Sequence, residues 1–150
     1  MAVSSAETTL ESLDVTATAP LDYIDIIETV ISSLADADSA QVSHTGSGTI
    51  WKFRYGQLEV FVQLTGSSED DLFTVWSKVF PLSSPADASL LHRLLTLNWA
   101  ETLEARFALY DDHVTMVASR TVADLSAGEI SRAITLVASI AATYVNGLPA

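Results

Sequence analysis

Residues Ser84–Tyr110 read SPADASLLHRLLTLNWAETLEARFALY. Ser84 suits a helix N-cap, Pro85 suits the first helical position, and Asp87 falls where an acid can reach back to the cap. Leu90, Leu91, Leu94, Leu95 and Leu97 then form a wide apolar stripe at helical spacing. Asn98 is suited to the left-handed position that ends a helix, and Thr102–Tyr110 follows with strand character. The stretch is therefore a helix that stops and feeds a strand, and its leucine stripe is expected at the centre of a helical layer.

Before this stretch, Trp51, Phe53 and Tyr55 alternate with Ile50, Lys52 and Arg54. Leu58, Val60, Val62 and Leu64 alternate with Glu59, Phe61 and Gln63. Phe73, Val75 and Val79 alternate with Thr74, Trp76 and Lys78. Period-two patterns joined by Gly56 and by Gly66–Asp71 predict a three-strand antiparallel meander. Ile24, Ile27, Val30, Ile31 and Leu34 predict a first helix over 21–34, with Asp22 and Asp25 in its first turn. Asp36–Gly48 is a polar connector with room for a short strand near Gln41–Ser43.

After it, Ala105, Phe107 and Leu109 are expected to pair with Val114, Met116 and Ala118 on the core face, in a hairpin around Asp111-Asp112. Ser126-Ala-Gly-Glu129 has the form of a capping box, and apolar spacing continues from Ile130 to Val145 before Asn146-Gly147 and Pro149. The predicted order is α-β-β-β-α-β-β-α. This is an α+β fold with a five-stranded antiparallel sheet and helices packed on one face.

The 150 residues are 49% hydrophobic and 17% charged, the profile of one globular domain, assigned to 20–150. Residues 1–19 read as a flexible acidic tail. The stretch MAVSSAETTLESLDVTATAP lacks the basic and apolar regions of a secretory signal, and no apolar run is long enough to span a membrane. A cytoplasmic protein is expected. The chain contains no cysteine, which excludes disulfides, thiolate catalysis and thiolate-bound metals.

The net charge is −12, and all seven basic residues lie between Lys52 and Arg132. Residues 1–51 carry eight acids and no base. Such a field repels phosphate backbones, so no nucleic-acid partner is expected.

Chemistry-bearing patterns are sparse. His44, His92 and His113 are distant from one another and form no metal-ligating spacing. Gly46-Ser47-Gly48 precedes a strand, which suits neither a nucleophile elbow nor a phosphate loop. Asp70-Asp71 and Asp111-Asp112 fall at predicted turns, where water keeps carboxylates ionised. No catalytic residue, cofactor or metal is predicted.

The aromatic set is more informative. If the apolar strand positions face the helices, Phe61 and Trp76 face the other way, among Lys52, Arg54 and Arg106. Aromatic side chains interleaved with cations suit a protein-binding surface. The alternative is that Phe61 and Trp76 pack only on each other or against the folded-back tail.

The stretch LLHRLLTLNW, the hairpin ARFALYDDHVTMVASRTV and the helix DLSAGEISRAITLVASIAATY resemble the YbjN family and the related chaperones of bacterial type III secretion. The matching positions are Leu97-Asn98, Phe107, Leu109, Asp111-Asp112, Val114, Met116 and Leu125 to Glu129. The resemblance implies an antiparallel sheet with helices on one face, often a homodimer, and no enzymatic activity. It points to a chaperone- or adaptor-like protein that holds a partner segment on a sheet edge or on the open sheet face. Two alternatives stand beside it: a stress or regulatory protein without a client, and a small ligand-binding domain or enzyme. The latter would use a cleft between the first helix and the sheet, with His44 or His92 in it.

Overall fold

The computed structural model describes residues 21–83 and 87–149. The tail expected over 1–19 and the cap expected at Ser84-Pro85 lie outside the described residues. Three helices and six strands follow in the order α1 (Tyr23–Leu34), β1 (Gln41–Thr45), β2 (Gly48–Tyr55), β3 (Leu58–Leu64), β4 (Leu72–Pro81), α2 (Ala88–Ala100), β5 (Arg106–Tyr110), β6 (His113–Thr121) and α3 (Ala127–Tyr144). The strands form one sheet in the order β1-β2-β3-β4-β6-β5, antiparallel throughout.

The α+β class and the element order stand, but the sheet has six strands rather than five. The extra strand is β1, whose five residues are all exposed. It lies where the polar connector left room for a short strand near Gln41–Ser43; with neither face buried it shows no apolar alternation, so periodicity alone does not define it. Its turn into β2 depends on Gly48, at φ 104°, where a Cβ would overlap the Leu64 carbonyl oxygen.

The meander is as the alternation predicts. Trp51, Phe53, Leu58, Val60, Val62, Leu64, Phe73, Val75 and Val79 are all buried. Ser77 shares their face and is fully buried, its hydroxyl donating to the Glu59 carbonyl at 2.8 Å. The β5–β6 hairpin turns through Asp111 (φ 51°) and Asp112 (φ 56°), the left-handed pair that a two-residue type I′ turn requires.

Helix α3 crosses β3, β4 and β6 and packs beside α1. Its capping box is complete: Ser126 Oγ accepts from the Glu129 N–H, and Glu129 accepts from the Ser126 N–H, both at 3.1 Å. Asp22 is the N-cap of α1 rather than a first-turn residue, with its carboxylate accepting from the Asp25 N–H at 3.1 Å. Glu28 of α1 accepts a hydrogen bond from Trp51 Nε1 at 3.1 Å, which ties α1 to β2.

Helix α2 departs from expectation in where it ends and in where it lies. Its cap among the described residues is Asp87, which accepts from the Ser89 N–H at 2.9 Å. It runs through Asn98 to Ala100, and the left-handed residue that follows is Leu103, at φ 54°. It does not lie at the centre of the helical layer either: it packs on β5 at the margin of the sheet, and of its own residues only Leu94 is buried.

Candidate protein-interaction surfaces

The helix-free face of the sheet is built by register. Successive antiparallel pairs are Gln41–Lys52, Lys52–Phe61, Phe61–Trp76, Trp76–Val117 and Val117–Arg106. Lys52, Phe61, Trp76 and Arg106, predicted from strand parity alone, therefore stand in one row across the sheet. Arg54 lies one pleat along β2, opposite Glu59. Phe61 and Trp76 stack with ring centroids 5.2 Å apart and planes 11° apart, so they pack on each other and still form part of the surface.

Around this row the face is electrostatically mixed. Lys52 Nζ lies 4.0 Å from Glu59, and Lys78 Nζ donates to Asp111 at 2.6 Å. The hydrogen bond from Lys78 holds the Asp111 carboxyl below the usual carboxylate range and raises the Lys78 ammonium above its own. Lys78 also sits 5.9 Å from the Tyr110 ring centroid.

A second surface was not expected. Leu95 (70% exposed), Trp99 (93%) and Leu103 (67%) lie on and just after α2, and Leu109 (51%) and Tyr110 (59%) lie on β5. Large apolar groups this exposed are concentrated in one stretch of chain rather than scattered singly. A sequence signal for it exists. At about 100° per residue, the apolar arc from Leu97 through Leu94 to Leu95 and Trp99 spans roughly 200°, more than one sheet contact can cover.

Asn98 joins the two elements. Its Oδ1 accepts from the Phe107 N–H at 2.6 Å, and its Nδ2 donates to the Phe107 carbonyl at 3.2 Å. A carboxamide thus takes the place of a neighbouring strand and blunts the β5 edge. Thr102 is fully buried behind it, its hydroxyl donating to the Asn98 carbonyl at 3.3 Å. The opposite edge, β1, pairs among the described residues with β2 alone and is exposed along its length.

The clefts offer little convergent chemistry. One of about 280 Å³ lies between α3 and β4–β6, where Arg120 pairs with Glu129 and Arg132 pairs with Glu104. It is lined by neither His44 nor His92. His44 sits on β1 with its Nδ1 3.3 Å from the Thr49 hydroxyl, His92 borders a separate cleft against Glu101 and Tyr144, and His113 opens β6. In that separate cleft the Tyr144 hydroxyl donates to Glu101 at 3.0 Å; burial, then the carboxylate, raises the phenol above its usual range. Among the described residues no three His, Asp or Glu side chains come together as a metal site would require. No helix among them is long and apolar enough to cross a membrane.

These features define a small α+β domain with a sheet open on one side and an apolar helix at its margin. The chain belongs to the YbjN family: the family model, described as "Putative bacterial sensory transduction regulator", matches residues 23–149. A search of curated proteins finds no match. Among solved structures, a chain of the crystal structure of the ExsC-ExsE complex is similar, with a TM-score of 0.58 at 14% identity over 83% of this chain and 92% of that one. At that identity the likeness is one of fold.

Proposed function

We propose that residues 20–150 act as one non-enzymatic, chaperone- or adaptor-like protein-binding domain. It pairs with a second copy of itself through α2 and β5 and keeps the open sheet face for a partner segment. The observation that carries this reading is the exposure of Leu95, Trp99, Leu103 and Leu109 on α2, just after it and on β5. Leu103 adds support, because a bulky side chain held at φ 54° costs about 1–2 kcal/mol, and such strain persists where something compensates for it. The similar fold belongs to a chain of the ExsC-ExsE complex. The family description favours a second, related reading, a regulator that acts by binding without holding a client.

The test is the mass of the full chain by light scattering. The 16.1 kDa chain is expected to run at twice its mass, and Leu95→Ser with Trp99→Ser is expected to run as a monomer that still unfolds cooperatively. A monomeric parent, or a double variant of unchanged mass, would overturn the pairing. The pairing should also resist salt, since salt screens the repulsion between two chains of net charge −12.

A further inference from the structure

The open face differs in charge from the rest of the molecule. Lys52, Arg54, Lys78 and Arg106 all project from it by strand parity, so it holds four of the chain's seven basic residues. Among the described residues Glu59 and Asp111 oppose them there, and Asp38 borders the cleft that Lys52 and Arg54 share with Glu59. Among the described residues neither Arg54 nor Arg106 has a carboxylate within 4.0 Å, while the other two cations spend theirs on Glu59 and Asp111. An acidic protein thus carries a cationic face with unspent guanidinium groups.

The same face has a depression. Ala108 lies between Arg106 and Tyr110 on β5, opposite Thr115 of β6. These two small residues form a floor, with Trp76 on one side and Tyr110 on the other, around a groove of about 320 Å³. Thr115 is only 2% exposed at its base. The groove has room for a large apolar side chain, and its polar lining, Gln63, Thr74, Thr115 and the Tyr110 hydroxyl, carries no charge.

We propose that this face binds an extended acidic segment of a partner protein, which seats an apolar side chain between Trp76 and Tyr110 and sets carboxylates against Arg106 and Lys52. The assignment rests on the protein-binding reading above and names the chemistry of the partner. A nucleic acid fits less well, because the net charge of −12 repels a long polyanion and Glu59 and Asp111 stand on the same face.

The test uses the full chain and three labelled probes in fluorescence anisotropy: a peptide alternating glutamate with leucine, the same peptide with lysine for glutamate, and single-stranded oligothymidine. The acidic peptide is expected to bind, and to weaken as salt is raised. Lys52→Glu with Arg106→Glu should weaken it by about tenfold or more and transfer preference to the lysine peptide. Ala108→Leu, which fills the groove without changing charge, should weaken both peptides. Equal binding of the two peptides by the parent chain, or preferential binding of oligothymidine, would overturn the proposal. So would a change in mass on charge reversal, since the occupant would then be a second copy. If the acidic peptide fails while the Leu95–Trp99 variant still becomes monomeric, this inference falls and the pairing stands. The opposite pattern leaves the acidic site and removes the pairing.

Discussion

Helices α2 and α3 carry comparable apolar stripes and meet different fates. In α3, Ile130, Ile134, Val137, Ala138 and Ala141 are all essentially inaccessible to water. In α2 only Leu94 is buried, while Leu95 and Trp99 stand in solvent. The difference is one of position. Helix α3 lies across three strands and against α1, so two surfaces cover its stripe. Helix α2 lies beyond the last β5–β6 pair and packs chiefly on the five-residue β5. One helix holds the fold together, and the other leaves apolar surface available for a partner.

That contrast can be broken most severely in α3. Ile134→Ala should lower unfolding free energy by about 2–5 kcal/mol, because it removes fully buried methylenes from a covered site. Urea denaturation would show it, and a cost below about 1 kcal/mol would mean that α3 is not the central helix. In α2, Leu95→Ala should change stability by no more than about 0.5 kcal/mol in the same assay.

Asn98 sharpens the comparison, since it makes α2 structural at one point. Asn98→Leu should cost about 1–3 kcal/mol, from two lost hydrogen bonds and a Phe107 amide left without its partner. Hydrogen exchange at the Phe107 amide should accelerate in that variant. Unchanged protection would show that the carboxamide does not blunt the β5 edge. Leu103→Asn should have a smaller effect of opposite sign. It should gain up to about 1 kcal/mol by easing the left-handed backbone, and the light-scattering mass should fall with the lost apolar contact.

The smallest effect concerns pH. Hydrogen bonds from the Ser68 hydroxyl and N–H, then from the Thr65 hydroxyl, hold the Asp71 carboxyl below the usual range. The Ser126 hydroxyl and N–H do the same for Glu129 at the start of α3. Both folded-state values are depressed. Their contribution is therefore present above the ordinary carboxylate range and is lost as pH falls below about 4. Asp71→Asn should flatten the acid limb of a stability–pH curve slightly and leave the neutral value of the slope unchanged.

Much of this architecture was legible in the residues. Alternation marked β2, β3 and β4 because one face of each is buried, and Ser126 with Glu129 marked the start of α3 because capping is local chemistry. The open face was legible too. Once Val60 and Val62 are assigned inward, the two-residue period sends Phe61 outward, and the same logic places Trp76, Lys52 and Arg106. Two features resisted. Strand β1 buries nothing, so its membership in the sheet rests on backbone pairing with β2. The role of Asn98 was misread because an asparagine near a helix end suits a left-handed cap on local grounds, whereas its partner Phe107 arrives only when the chain folds back.

The sequence by itself determined which residues form helices and strands and which strand positions share a face, because these follow from periods of 3.6 and 2 and from caps within four residues. The tertiary structure alone decided that β6 inserts between β4 and β5, that α2 is displaced to the sheet margin, and that Leu95 and Trp99 remain in solvent. Those outcomes depend on strand order, and strand order is set by which long-range pairings bury the most apolar surface together.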